Sequence, residues 1–301
     1  MEMLWLGRPD CHDANRVGAK AANLSRLLAD YRIPPGFCIP IAAYAQWLAL
    51  TSPQVETTSH EPAALTQPVP PALYSALVAA YRDLATVCGV AEPSVAVRSS
   101  AVDEDGVTAS FAGQYDTYLN IVGVEAVAKA IVQCWASART IRALEYRRGH
   151  GLSGEGVGLA VLIQQLVQAD ISAVVFSANP VTGSHDHILI NASWGLGESI
   201  VNGAVTPDAY VVRKADLAIV ERQIAQKRRL TVLAREGTQE APVPRQLQQA
   251  PAATDDQVRE MARLSMALER AMGWAVDIEC AYRDRELYIL QCRPITTLGA
   301  L

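Results

Sequence analysis

One stretch in the first third of the chain, residues 95–117, constrains the fold most. It begins with the apolar run Val95–Val97, which is typical of a buried strand, and continues into Arg98 and two serines. An acidic loop follows, and then a segment of small residues that contains Gly113 and ends near Thr117. Small side chains and glycine let backbone N–H groups approach a phosphate closely. The stretch predicts a strand followed by a phosphate-binding loop, and an ordinary strand with a polar turn is the alternative.

Composition limits the classes of function that are open to the chain. Its 301 residues are 50% hydrophobic, which is enough for two lobes rather than one. The net charge of −5 disfavours general nucleic-acid binding, and no apolar run approaches the roughly 18 residues of a membrane span. The N-terminus does not read as a secretory signal, and six cysteines without a Cys-x-x-Cys pair indicate reduced thiols. We expect a cytoplasmic protein that binds neither nucleic acid nor membrane.

A helix near the N-terminus is predicted to carry Lys20 in its first turn. Apolar residues recur at helical spacing between Val17 and Leu28, so the helix should begin near Gly18. The N-terminus of a helix is positively polarised, and a lysine beside it suits a phosphate. A solvated surface lysine is the alternative.

A β-hairpin is predicted near the C-terminus, where strands 276–282 and 286–293 flank the turn Arg283–Arg285. Side chains alternate between the two faces of a strand. If the strands pair symmetrically about Asp284, one face carries two carboxylates, an amide and a guanidinium, from Asp277, Glu279, Gln291 and Arg293. Such a face suits Mg²⁺ and polyphosphate, and a solvated sheet face is the alternative.

Three further segments are less specific. A strand over residues 157–167 is followed by a second strand from Ile171, which from the residues alone predicts only a hairpin. Residues 235–256 are polar with three prolines and predict a mobile connection. His185 and His187 are expected in an exposed loop rather than in a metal site.

Together these motifs resemble the ATP-binding domain of the phosphoenolpyruvate synthase, pyruvate phosphate dikinase and rifampin phosphotransferase family. The family motifs V-A-V-R-S-S-A and A-S-F-A-G-Q appear at residues 95–101 and 109–114. The family's D-I-E-W and L-Q-A-R-P are matched at residues 277–280 and 290–294, with cysteines at positions 280 and 292. The similarity extends from Gly18 to Pro294.

The resemblance implies an α+β ATP-grasp fold with ATP bound between two lobes, residues 1–165 and 166–301. It implies roles for the candidate residues as follows. Lys20, Arg98 and Arg293 are catalytic phosphate contacts; Gln164 and Leu166 contact adenine; Gly113 and Thr117 belong to the nucleotide-binding set; and Glu279 and Gln291 hold Mg²⁺ and also contact the nucleotide.

The resemblance also implies half of a phosphotransferase. In this family MgATP passes its β-phosphate to a histidine on a separate swivelling domain, and ATP becomes AMP and phosphate. None of the five histidines lies in the family's phosphohistidine motif, so we expect that domain in trans or outside this chain. Two alternatives stay open: an ATP-grasp ligase that activates a carboxylate and releases ADP, and a nucleotide-sensing module.

Overall fold

The structure is a computed structural model that describes most of the chain. The described residues are 2–50, 67–102, 104, 116–140, 143, 145, 149, 158–296 and 298. The predicted nucleotide-binding residue Gly113 lies outside them, together with most of the small-residue loop. Within the described part, no helix is long and apolar enough to cross a membrane.

The chain divides into two compact units. Unit 1 consists of Met1–Asp30 and Pro34–Leu166, and unit 2 of Tyr31–Ile33 and Val167–Leu301. The sequence-based boundary fell one residue earlier and assigned Tyr31–Ile33 to the first lobe. These three residues belong to unit 2 because Arg32 O accepts a hydrogen bond from Ile289 N at 3.0 Å and the Arg32 side chain forms an ion pair with Glu286.

Unit 1 is built on a five-stranded antiparallel sheet with the strand order β1-β2-β5-β3-β4. Its strands are β1 (Leu4–Trp5), β2 (Gly36–Ile39), β3 (Val95–Ala101), β4 (Thr117–Ile121) and β5 (Leu159–Gln165). Its helices in the described residues are α1 (Ala14–Leu27), α2 (Ile41–Leu50), α3 (Pro71–Cys88) and α4 (Val124–Ser137).

The two faces of this sheet differ in chemistry. One face carries the apolar core, in which Val97 of β3 and Ile163 of β5 belong to the same cluster as Trp47 and Trp135. The ring centroids of the two tryptophans are 5.3 Å apart. Side chains alternate between the two faces along each strand. The positions of β3 and β5 that do not face the core therefore face the opposite side, where α1 packs. Polar residues on that side can therefore form a site without disturbing the core.

Unit 2 is built on a six-stranded antiparallel sheet with the order β13-β12-β6-β7-β8-β9. Its strands are β6 (Ile171–Phe176), β7 (His187–Trp194), β8 (Asp208–Arg213), β9 (Ile219–Gln223), β12 (Val276–Arg283) and β13 (Glu286–Pro294). Helix α5 (Glu198–Val201) follows β7. Helix α6 (Asp255–Met272) starts at a capping box of Thr254 and Gln257 and packs on the sheet.

A small hairpin corrects one prediction from composition. Strands β10 (Arg229–Leu233) and β11 (Thr238–Pro242) pair antiparallel, and β11 falls inside the segment predicted to be a mobile connection. The prolines do not prevent pairing because Pro242 stands at the end of its strand, where a missing N–H donor is tolerated. Val243 N then donates to Arg228 O at 3.0 Å and extends the hairpin by one bond.

Candidate functional site

Lys20 lies just after a break in α1. Gly18 has φ 76° and ψ 163°, so regular helix resumes at Ala19 and Lys20 stands in the first turn of the resumed segment. Ala21 N donates to Ser100 Oγ at 3.2 Å, which anchors this turn to the end of β3. The helix start predicted near Gly18 corresponds to this break, although a preceding helical turn begins at Ala14.

Gly18 allows this close approach of α1 to β3, and replacing it should therefore destabilise the protein. A Cβ at Gly18 would lie 2.1 Å from Ser100 O, and its backbone conformation is essentially restricted to glycine. We expect Gly18→Ala to lower the free energy of unfolding by about 2–3 kcal/mol, measured by urea denaturation. Gly89→Ala is the matched control, because Gly89 has φ +68° but no heavy atom within 4 Å of its Cβ position. Equal losses in the two variants would show that the contact with Ser100 is unimportant.

The ammonium group of Lys20 is buried in an ion pair. Lys20 Nζ donates to Glu104 Oε1 and to Ser99 O, both at 3.0 Å. The second carboxylate oxygen, Glu104 Oε2, accepts from Ala101 N at 3.1 Å. Lys20 and Glu104 are 5% and 4% exposed. The sequence showed the acidic loop but gave Glu104 no role, because the two partners are 84 residues apart.

Three other predicted residues share one face of the unit 1 sheet. Arg98 is paired with Leu162 on β5 and with Thr117 on β4, and Gln164 is paired with Ala96. Directly paired residues point to the same face, and Ser100 on this face contacts α1. The structure therefore brings Arg98, Thr117 and Gln164 onto the face on which α1 packs.

The segment that ends β5 is fixed by hydrogen bonds. Gln164 is 2% exposed, and its Nε2 donates to Pro34 O at 3.1 Å. Leu166 N donates to Ser94 O at 2.9 Å. The N–H of Leu166 and one of the two N–H donors of Gln164 Nε2 are thus used within unit 1.

In unit 2 the structure brings the four polar hairpin residues together. Asp277 is paired with Arg293 and Glu279 with Gln291 across β12 and β13. Arg293 Nε donates to Asp277 Oδ2 at 2.8 Å. Asp277 and Gln291 are buried, whereas Glu279 and Arg293 are partly exposed. Strand alternation had placed Asp277 on this face, but its role as the partner of Arg293 was not foreseen.

The register of the hairpin differs from the prediction. The turn has two residues, Asp284 and Arg285, both with positive φ, so the strands do not pair symmetrically about Asp284. A β-bulge then shifts the register: Cys280 is paired with Ile289, but Glu279 is paired with Gln291. Without this bulge Glu279 would stand opposite Leu290, and the two carboxylates would face apolar residues. The bulge therefore assembles the polar face.

The opposite face of β12 is closed by α6. Tyr282 Oη donates to Glu260 Oε2 at 2.7 Å. Burial raises the pKa of the Tyr282 phenol, and the hydrogen-bonded Glu260 raises it further. Burial also raises the pKa of Cys280 to about 12, with smaller contributions from Glu279 and Glu260. Cys280 and Tyr282 are buried on this face, and all six cysteines of the chain are free.

Of the two histidines predicted in an exposed loop, His185 is exposed outside any strand, as expected. The prediction is wrong for His187, which is the first residue of β7 and partly buried, with its Nδ1 2.9 Å from Ser184 Oγ. Among the described residues, no group of three or more histidines, cysteines and carboxylates could hold a metal ion.

Comparison with known proteins identifies the family. Residues 14–300 match the family described as "Pyruvate phosphate dikinase, AMP/ATP-binding domain". The chain belongs to this family. The resemblance inferred from the motifs is thereby confirmed, and the chain is an ATP-binding domain.

Relatives with several different names share this domain. The chain is 37% identical over 98% of its length to a probable phosphoenolpyruvate synthase of Methanocaldococcus jannaschii, of which it covers 26%. It is 38% identical over 94% of its length to a rifampicin phosphotransferase of Streptomyces sviceus, covering 34% of that protein. It is also 38% identical over 95% of its length to the prodigiosin synthesizing transferase PigC of Serratia marcescens, covering 32%. The chain thus spans between 26% and 34% of the length of these three relatives.

Proposed function

We propose that this domain is the MgATP-binding half of a dikinase-type phosphotransferase of ATP-grasp fold, with ATP bound between its two lobes. In the proposed reaction, the bond between the α- and β-phosphates breaks and the β-phosphate moves to a histidine nitrogen of a separate domain. The γ-phosphate passes to water, so that AMP and phosphate are released. The observation that carries the proposal is the set Asp277, Glu279, Gln291 and Arg293 on one face of a hairpin, in a chain of an AMP/ATP-binding family.

The residues of unit 1 would bind adenine and part of the triphosphate. Lys20 and Arg98 supply cationic donors, and charge-assisted hydrogen bonds are the strong ones for phosphate. Thr117 adds an exposed hydroxyl at the start of β4, and the loop with Gly113 would add backbone N–H groups. Gln164 Nε2 is tied to Pro34 O, so its Oε1 would accept from the adenine amino group. The Leu166 carbonyl is the backbone group offered beside it.

The residues of unit 2 fit a magnesium–polyphosphate complex. Mg²⁺ prefers oxygen ligands and is usually held by one or two carboxylates together with substrate phosphates. Glu279 and Gln291 would supply the protein oxygens, and bound Mg²⁺ would neutralise charge on the polyphosphate. Arg293 would donate to a phosphate oxygen, and its hydrogen bond to Asp277 would fix the direction of the guanidinium group.

The acceptor histidine would come from another domain or protein. The three named relatives are at least about three times as long as the segment that they share with this chain, which leaves room for such a domain in them. The thiol state of all six cysteines supports a cytoplasmic location for the reaction.

The nature of the nucleotide product tests the proposal. The domain is mixed with ATP, Mg²⁺ and the phosphohistidine domain of a relative, and the nucleotides are separated by chromatography. We expect AMP, together with a heat-stable, acid-labile phosphate on the added domain, because the bond broken is the one at the α-phosphate. The control is the added phosphohistidine domain with its acceptor histidine replaced by alanine, which should carry no phosphate.

Two other outcomes would contradict the phosphotransferase. ADP as the only product, formed in the presence of a small carboxylate and an amine, would favour the ATP-grasp ligase. Tight binding of ATP without any turnover in the presence of several phosphohistidine domains would favour a nucleotide-sensing module.

A further inference from the structure

We propose that Glu104 is a positioning residue that holds the ammonium group of Lys20 in place for the phosphates of ATP. The proposal rests on the proposed function, because it concerns the contact between Lys20 and the nucleotide. It adds a residue that the sequence motifs did not assign.

The carboxylate of Glu104 is fixed by the backbone of β3. Its Oε2 accepts from the N–H of Ala101, the last residue of the strand, and the side chain is buried. This hydrogen bond does not involve Lys20. Glu104 therefore provides a stationary negative group to which the lysine is drawn.

Lys20 is held by two acceptors that lie at the same strand end. An ammonium group has three N–H donors, and Lys20 directs two of them to Ser99 O and Glu104 Oε1. The tetrahedral geometry then fixes the direction of the third donor. A lysine side chain otherwise has a flexible four-carbon stem, so ordering it before the ligand arrives removes an entropic cost of binding.

Only a carboxylate can make both contacts at once. Glu104 accepts with Oε2 from Ala101 N and with Oε1 from Lys20 Nζ. An amide has one acceptor oxygen and one NH₂ donor group. In Glu104→Gln, satisfying Ala101 N would turn the NH₂ group towards Lys20, and two donors would face each other. The substitution should displace the ammonium group while almost preserving the volume of the side chain.

The test is calorimetric and uses two ligands. ATP and adenosine are titrated into the wild type, Glu104→Gln, Lys20→Met and the double variant, with Glu92→Gln as a matched control at an exposed glutamate of unit 1. We expect Glu104→Gln to weaken ATP binding about tenfold or more and to leave adenosine binding unchanged, because adenosine has no phosphate. The double variant should bind ATP as Lys20→Met does, since Glu104 acts through the lysine.

Each other outcome counts against the proposal. Wild-type affinity for ATP in Glu104→Gln, or additive losses of affinity in the double variant, would overturn the role of Glu104 and leave the proposed function standing. A parallel loss of adenosine binding would assign Glu104 a general structural role instead. A wild-type domain that does not bind ATP would refute the proposed function and this proposal with it. If Glu104→Gln does not fold, Glu104→Asp gives the same test, because its shorter stem cannot reach both Ala101 N and Lys20.

Discussion

Removing either member of the ion pair between Asp208 and Lys227 should lower the free energy of unfolding by about 3–5 kcal/mol, the usual effect of leaving one buried charge uncompensated. Lys227 Nζ lies 2.5 Å from Asp208 Oδ1, and both side chains are 0% exposed. The same carboxylate accepts from Ala225 N at 2.9 Å and from Ala252 N at 2.7 Å. Asp208 thus joins β8 to two separate connecting segments of unit 2.

The measurement is denaturant unfolding of Asp208→Asn, Lys227→Met and the double variant. The double variant should lose less than the sum of the single losses, because it leaves no buried charge. Glu240→Gln removes the exposed ion pair with Arg229 and should have a free energy of unfolding close to that of the wild type. Single losses as small as that of the control would mean that the buried pair contributes nothing to the stability of unit 2.

If Glu279 holds Mg²⁺ as proposed, replacing it by glutamine should reduce AMP formation with a competent phosphohistidine domain by about 10²–10³-fold, because losing that ligand would remove several kcal/mol of charge stabilisation. Glu279 is partly exposed at the sheet surface and paired with Gln291, so an isosteric amide should leave the hairpin intact. The rate of AMP formation is measured across a magnesium titration.

The control for this variant is Glu286→Gln, at the far end of the same hairpin. Glu286 is exposed and forms an ion pair with Arg32, away from the polar face of β12 and β13. It should leave turnover unchanged at every magnesium concentration. Equal rates for the wild type and Glu279→Gln at all concentrations would remove Glu279 from the proposed metal site.

Local patterns in the sequence were sufficient for several elements. The apolar run at Val95 predicted β3, and the spacing after Val17 predicted the helix that resumes beyond Gly18. Both signals are local, because a strand or a helix face repeats within a few residues. Strand alternation also grouped Asp277 with Glu279 on one face of the hairpin.

Other features depend on contacts that no local pattern encodes. The contact between Lys20 and Glu104 joins residues 84 positions apart, and the ion pair of Arg32 with Glu286 joins residues 254 positions apart. The bulge beside Glu279 could not be predicted, since the pairing register depends on how both strands pack in the sheet. Strand β11 was missed because its polar, proline-containing sequence is equally typical of a loop.

Residues Tyr31–Ile33 belong to unit 2, although the residues before and after them belong to unit 1. This has a consequence for the order of folding during synthesis. This segment leaves the ribosome early, yet the groups that hold it are Ile289 N, Glu286 and the Tyr288 ring, which lies 5.6 Å from the Arg32 guanidinium. Its partners are translated about 250 residues later, and chain elongation proceeds at roughly 5–20 residues per second. Unit 2 therefore cannot complete its contacts until β13 has emerged, and a fragment that starts at Val167 would lack residues that cover this strand. Each unit has its own sheet, but unit 2 includes a short segment that is synthesised within the sequence of unit 1.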